Sequence, residues 1–127
     1  MTAAADLSEF RTRVRYFLAT HAATHGWLRD ATSRRESFRP YADAAGAEET
    51  ILRRAVECQR MLFEAGLAGI TWPTEYGGQG LSRREQIVFN EELGQFELPL
   101  WPYTITFGMC GPTVLSAGTD PQKQRYL

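Results

Sequence analysis

Apolar side chains return every three or four residues wherever this chain runs far enough without Gly or Pro to show a period, and that spacing commits it to helices. Leu7, Phe10, Val14, Phe17 and Leu18 form one such stripe, with Arg11, Arg13 and Arg15 on the other faces. Asp6-Leu7-Ser8-Glu9 reads as a capping box at its start, so a helix is expected from there to between Thr20 and His25. Ile51, Leu52, Ala55, Val56, Gln59, Leu62 and Phe63 form a second stripe. Glu48 and Glu49 open it at the positive end of the helix dipole, and Gly66 is placed to close it as a left-handed cap. Ser82-Arg83-Arg84-Glu85 is a second capping box, and Ile87, Val88, Glu91 and Leu93 belong to the helix it starts.

The intervening stretches are punctuated by turn formers. Gly26 to Gly46 reads as a loop with at most a short helical turn, anchored by Trp27, Phe38 and Tyr41. Leu67 to Trp72 is short, apolar and strand-like, and Tyr76-Gly77-Gly78-Gln79-Gly80 follows it as a turn with at least one glycine at positive φ. Pro99 and Pro102 suit the first turn of a fourth helix, Gly111-Pro112 should kink or restart it, and Gly118 should end it. Thr119-Asp120-Pro121-Gln122 looks like one more helix start. Leu127 comes about two turns later with no stop signal, so the sequence reads as cut short. The expected architecture is all-α: one domain over residues 1–127, an orthogonal or up-down bundle of about five to six helices.

A chain of 127 residues can bury roughly two-thirds of its unfolded surface. Its formal charge of -1 argues against a nucleic-acid binder, and its cations are arginines apart from Lys123, which suits solvated helix faces. Met1 to Ala5 lacks the pattern of a signal peptide. The uncharged stretch Leu98 to Thr119 is long enough to suggest a membrane span, but its prolines and glycines argue that it is buried in protein instead. Cys58 and Cys110, far apart and without metal-ligand spacing, are expected to be buried free thiols in a cytoplasmic protein.

Few residues carry a chemical signal. Gly78-Gln79-Gly80-Leu81-Ser82-Arg83 approximates a dinucleotide fingerprint, but Arg83 stands where a third glycine is needed, so a structural turn is the expected role. His21 and His25 share a helix face without further metal ligands and read as exposed residues at a frayed end. Glu91 and Glu92 face different sides of a helix, which suits one enclosed, paired carboxylate and one solvated. The segment Leu98 to Leu115 is unusually apolar. Thr104, Thr106, Met109 and Cys110 along it suit either ordinary core or the lining of a cavity for an apolar ligand.

Three stretches together resemble the acyl-CoA dehydrogenase family. They are Gly66 to Ser82, containing Pro73-Thr74-Glu75-Tyr76-Gly77-Gly78-Gln79-Gly80; Asn90-Glu91-Glu92-Leu93-Gly94; and Gly118-Thr119 followed by Gln122-Lys123-Gln124-Arg125-Tyr126-Leu127. The resemblance implies an amino-terminal helical domain that precedes a central β domain and a final helical bundle. It implies FAD as cofactor in the parent enzyme, not bound by this chain alone, with a glutamate base and the flavin supplied by the later domains. Acyl-CoA substrate, electron-transferring flavoprotein and a homo- or hetero-oligomeric assembly are implied as partners. No catalytic, flavin-binding or metal-binding residue is expected here. The domain's implied role is to wall one side of the acyl pocket with the helix starting near Pro102, presenting Ile105, Thr106 and Met109; Pro102 departs from the ordinary helical residues of the family at that point. Two other readings remain: a stand-alone interaction module or non-catalytic partner subunit, and an acyl-CoA oxidase or related flavoenzyme on the same scaffold.

Overall fold

The first helix, α1, spans Thr2–His25 in the computed structural model, which describes residues 2–28 and 47–127. Its stripe Phe10, Val14, Phe17, Leu18 and Ala22 is buried. It begins well before Asp6, which lies inside the helix rather than at its cap. The run Ala3-Ala4-Ala5 accounts for the extension, alanine being the strongest helix former. Gly26, at φ 70°, turns the chain out of α1, and the Trp27 amide donates back to the Ala22 carbonyl at 2.9 Å. That closure leaves Trp27 buried against the helix it has just left. Phe38 and Tyr41 lie outside the described residues, as does most of the loop expected between Gly26 and Gly46.

The second helix, α2, spans Ala47–Glu64 and ends in the same way. Gly66 sits at φ 69°, its amide donates to the Phe63 carbonyl, and the Leu67 amide reaches the Leu62 carbonyl at 2.8 Å. Both Leu62 and Leu67 are in the core, so the cap also makes the apolar contact that such a motif favours. The apolar stripe of α2 is split. Ala55, Cys58 and Leu62 are buried, whereas Leu52, Val56 and Phe63 point outward. The stripe is wider than the surface the described elements offer to cover it, and the arc centred on Cys58 is the one that packs.

Leu67 to Trp72 forms a compact turn, not a strand, with Gly69 at φ 57° and the Trp72 amide bonded to its carbonyl. Among the described residues the only β pairing is an isolated bridge between Leu28 and Phe96. A 3-10 turn, Thr74–Tyr76, leads into the glycine-rich turn. Helix α3 spans Arg83–Leu93 and carries the expected capping box: the Ser82 backbone amide and hydroxyl both donate to Glu85, and the Arg84 amide donates to the Ser82 oxygen. Val88 and Phe89 are its buried residues; Ile87 is half exposed. The rest of the chain is a helical run of changing pitch: a 3-10 turn at Trp101–Tyr103, a π-helix at Thr106–Cys110, α4 at Gly111–Ala117 and α5 at Asp120–Tyr126. Thr119 caps α5 through the expected box with Gln122.

One ionic clamp holds α1 to α3. Arg11 bonds both Glu92, at 2.5 Å, and Glu91, at 2.6 Å, while Arg15 Nε donates to the other Glu92 oxygen at 2.8 Å. Glu92 is the enclosed carboxylate, with its side chain 12% exposed, and Glu91 the more solvated one at 55%. The two adjacent glutamates do diverge as helix geometry requires, yet one guanidinium is broad enough to reach both. Bonding from Arg15 foremost, and from Arg11, holds the Glu92 carboxyl below the usual carboxylate range despite the opposing effect of burial. A depressed folded-state pKa contributes stability that is present above the unfolded pKa and lost as pH falls through the folded one. Replacing Glu92→Gln should therefore destabilise the chain at neutral pH by on the order of 1–2 kcal/mol, with the gap from the parent narrowing as pH drops below the carboxylate range. Urea unfolding at a series of pH values checks this; a gap independent of pH would contradict it.

Candidate functional site

The candidate site is the outer face of the helical run between Trp101 and Ala117. Its pitch is set by two residues. Pro112 has no amide proton, and in a regular α-helix its ring would press on the carbonyl four residues back. The π-turn relieves that conflict: the Gly111 amide skips one residue and donates to the Thr106 carbonyl. The proline expected to kink or restart the helix does restart it, beginning a new α segment after a widened turn. Gly111 is buried because Trp72 packs directly on it; a Cβ at this position would overlap the indole ring.

Held in this register, the run turns Ile105 and Met109 outward, 63% and 66% exposed, with Thr106 exposed beside them and Pro102 half buried at the start. Trp101, 45% exposed, extends the same apolar surface one turn earlier. Its spacing of four from Ile105 and eight from Met109 was the available signal for including it. Cys110 is exposed too, in contrast to the buried thiol expected from its apolar neighbours. The reason is rotational: the segment packs through Tyr103, Phe107 and Gly111, leaving Cys110 on the solvent side. Cys58 lies in the core, where burial pushes its thiol up to about 12.

The opposite side of the run borders a half-open cavity of about 320 Å³ shared with the end of α2, the turn at Ile70–Trp72 and α3. None of Pro102, Ile105, Thr106 and Met109 lines it. The four residues expected to wall a ligand pocket are thus brought to one helix end, but onto the outer surface of this chain.

The glycine-rich turn does not suit a cofactor phosphate. Every amide from Tyr76 to Leu81 already donates to a backbone carbonyl within the turn: Tyr76 and Gly78 to Pro73, Gly77 to Thr74, Gln79 to Gly69, Gly80 to Trp72 and Leu81 to Ile70. A pyrophosphate cradle needs those amides free and a glycine whose open side faces the ligand. Gly78 instead closes on Trp72, where a Cβ would overlap the backbone and Cβ of the tryptophan. The loop therefore fits neither the phosphates of FAD nor those of another dinucleotide. His21 and His25 are half buried in an aromatic stack, with His21 4.8 Å from Phe17 and His25 5.0 Å from Trp27 between ring centres, rather than exposed at a frayed end. Among the described residues no group of three or more His, Cys, Asp or Glu is placed to hold a metal ion, and no helix is long and apolar enough to cross a membrane.

Among the described residues the unit is helical, the amides of its glycine-rich turn are all spent within the backbone, and one helical run carries an apolar, outward-facing side. The chain belongs to the acyl-CoA dehydrogenase family: residues 4–127 match the model described as acyl-CoA dehydrogenase, N-terminal domain. It is 30% identical over 122 residues to acyl-CoA dehydrogenase IpdE1 of Mycobacterium tuberculosis, covering 96% of this chain and 29% of that protein. It is 32% identical over 102 residues to (2S)-methylsuccinyl-CoA dehydrogenase of Cereibacter sphaeroides, covering 73% of this chain and 18% of that protein. Isovaleryl-CoA dehydrogenase of Bos taurus mitochondria is 31% identical over 72 residues, 56% of this chain and 17% of that protein. The chain spans less than a third of the length of these relatives. No solved structure matches it.

The two kinds of glycine in the site separate by experiment. Gly77, at φ 83°, would place a Cβ at an ordinary contact distance of 3.9 Å from the Phe63 ring, so Gly77→Ala should cost about 1 kcal/mol, essentially the backbone penalty. Gly111→Ala meets the Trp72 ring and should cost about 1–3 kcal/mol, as overpacking does. Thermal unfolding of both variants is the check; a Gly111→Ala protein as stable as the parent would mean Trp72 does not pack on the helix backbone.

Proposed function

We propose that this domain forms one wall of the acyl pocket of an FAD-dependent acyl-CoA dehydrogenase. The observation that carries the reading is the outward apolar face: Ile105 and Met109 are left uncovered on a helix whose other side is packed. Such a face in a family of multi-domain enzymes is built to meet something apolar. Pro102, Ile105, Thr106 and Met109 line that wall, with Pro102 fixing where the helix begins.

The role of these residues is to orient the acyl chain and exclude water. None of them titrates, so a glutamate base in the enzyme's remaining domains would remove the proton from the acyl thioester, and FAD bound there would supply the hydride acceptor. The glycine-rich turn of this chain takes no part in holding the flavin. Onward electron transfer goes to electron-transferring flavoprotein, in a cytoplasmic homo- or hetero-oligomer acting in lipid metabolism.

Two measurements test the reading. Purified alone, the chain should carry no flavin absorbance and show no turnover of acyl-CoA; stoichiometric flavin would overturn the assignment of the cofactor to other domains. Combined with a chain supplying the flavin-bearing central and final domains, it should support acyl-CoA oxidation. There, Ile105→Trp or Met109→Trp should raise KM for longer acyl-CoA substrates by about tenfold, equivalent to roughly 1.4 kcal/mol of acyl contact, and spare short ones. Uniform kinetics across acyl lengths would mean that this face meets another domain instead of substrate.

A further inference from the structure

Among the described residues every glycine but one has a local reason to be a glycine: positive φ, or a neighbour that a Cβ would crowd at 3.2 Å or closer. Gly108 has neither. Its φ lies outside the left-handed region, and an added Cβ would find no atom within 4 Å beyond the adjoining residues and the helix's own backbone. It is exposed, and it sits in the middle of the π-turn Thr106–Cys110. In a helix interior alanine is the more stable residue, because glycine gives up more backbone freedom on folding. No described part of this fold therefore needs the missing side chain. The remaining physical use of such a glycine is to let something outside the fold come close to the helix backbone.

We propose that Gly108 is a specificity-determining residue of the acyl wall, a methyl-sized notch that favours acyl-CoA thioesters carrying a branch over straight-chain ones. The inference rests on the acyl-wall reading and deepens it by naming the class of acyl group. Residues four apart stack along a helix. Ile105 and Met109 thus form one outward row, and Thr104, Gly108 and Pro112, all exposed, form the row beside it. The second row lacks a side chain only at its middle position, directly alongside the gap between Ile105 and Met109. A straight chain lying along Ile105 and Met109 leaves that space empty and loses the contacts its walls would make. A methyl branch fills it. The surroundings suit a hydrocarbon branch, since no residue from Leu98 to Thr119 is charged. A π-turn within an α-helical run is also a frequent mark of a functional position.

Two measurements on Gly108→Ala test the notch. In this chain alone, thermal unfolding of the variant should move up by a few degrees, as a relieved helix glycine requires. A lower midpoint would place the reason for the glycine inside the fold and overturn the proposal. The second measurement uses the enzyme assembled with the chain that supplies its flavin-bearing domains. Its probes are octanoyl-CoA and the monomethyl octanoyl-CoA thioesters branched at each carbon from the fourth to the seventh. At one branch position, the ratio of kcat/KM for the branched substrate to that for octanoyl-CoA should fall about tenfold in the variant, the scale of one methyl group in an apolar pocket. Ratios that stay the same at every branch position would overturn the proposal. So would loss of turnover with every substrate, which would mean that Gly108 meets another domain. Unchanged ratios beside length-dependent kinetics in the Ile105 and Met109 variants would remove the notch and keep the wall; uniform kinetics at all three positions would remove both.

Discussion

The indole of Trp72 is the contact around which the second half of the chain is arranged. Its backbone and Cβ fill the space that a side chain at Gly78 would need, and its ring edge occupies the place of a side chain at Gly111. One residue thereby ties the glycine-rich turn to the helical run nearly forty positions later in sequence. Remove either glycine's openness and the turn and the helix can no longer approach the same residue. Phe107 then packs on the free face of the indole, which fixes the rotation of the run and decides that Ile105 and Met109 face outward. A rotation of half a turn would bury them and expose Tyr103 and Phe107.

The amino-terminal half is joined differently. Apolar packing of α1 on α3 sits beneath a clamp of two arginines and two glutamates, with Glu92 enclosed by both guanidinium groups. Exposed ion pairs contribute little, but a carboxylate that is nearly covered and bonded on both oxygens specifies one register between two helices. The domain therefore has a face where register is set by charge and a face where it is set by one large ring. The cavity lies at the boundary between them, beside α3 on one side and Trp72 on the other.

This arrangement bears on how a short motif should be interpreted. A glycine-rich turn between an apolar segment and a helix invites a nucleotide reading. Amide accounting decides the matter: six consecutive donors are spent inside the turn, so nothing is left to meet a phosphate. The turn's glycines serve backbone conformation at Gly77 and Gly80 and close approach at Gly78.

Much of this was determined by sequence alone, wherever the cause is local. The helical periods, the Gly66 cap, and the Ser82–Glu85 and Thr119–Gln122 boxes each depend on residues within a few positions of one another, and each forms as its spacing requires. The family, too, was legible from short motifs in order. Tertiary structure alone decided the rest. Which arc of the α2 stripe packs, why Cys110 is exposed, why Leu67 to Trp72 turns instead of extending, and which side of the helical run after Trp101 meets solvent all depend on partners distant in sequence. Apolar spacing reports that a helix has a greasy side; when that side is wider than the surface available to cover it, only the position of Trp72 and its two glycines selects which part is buried.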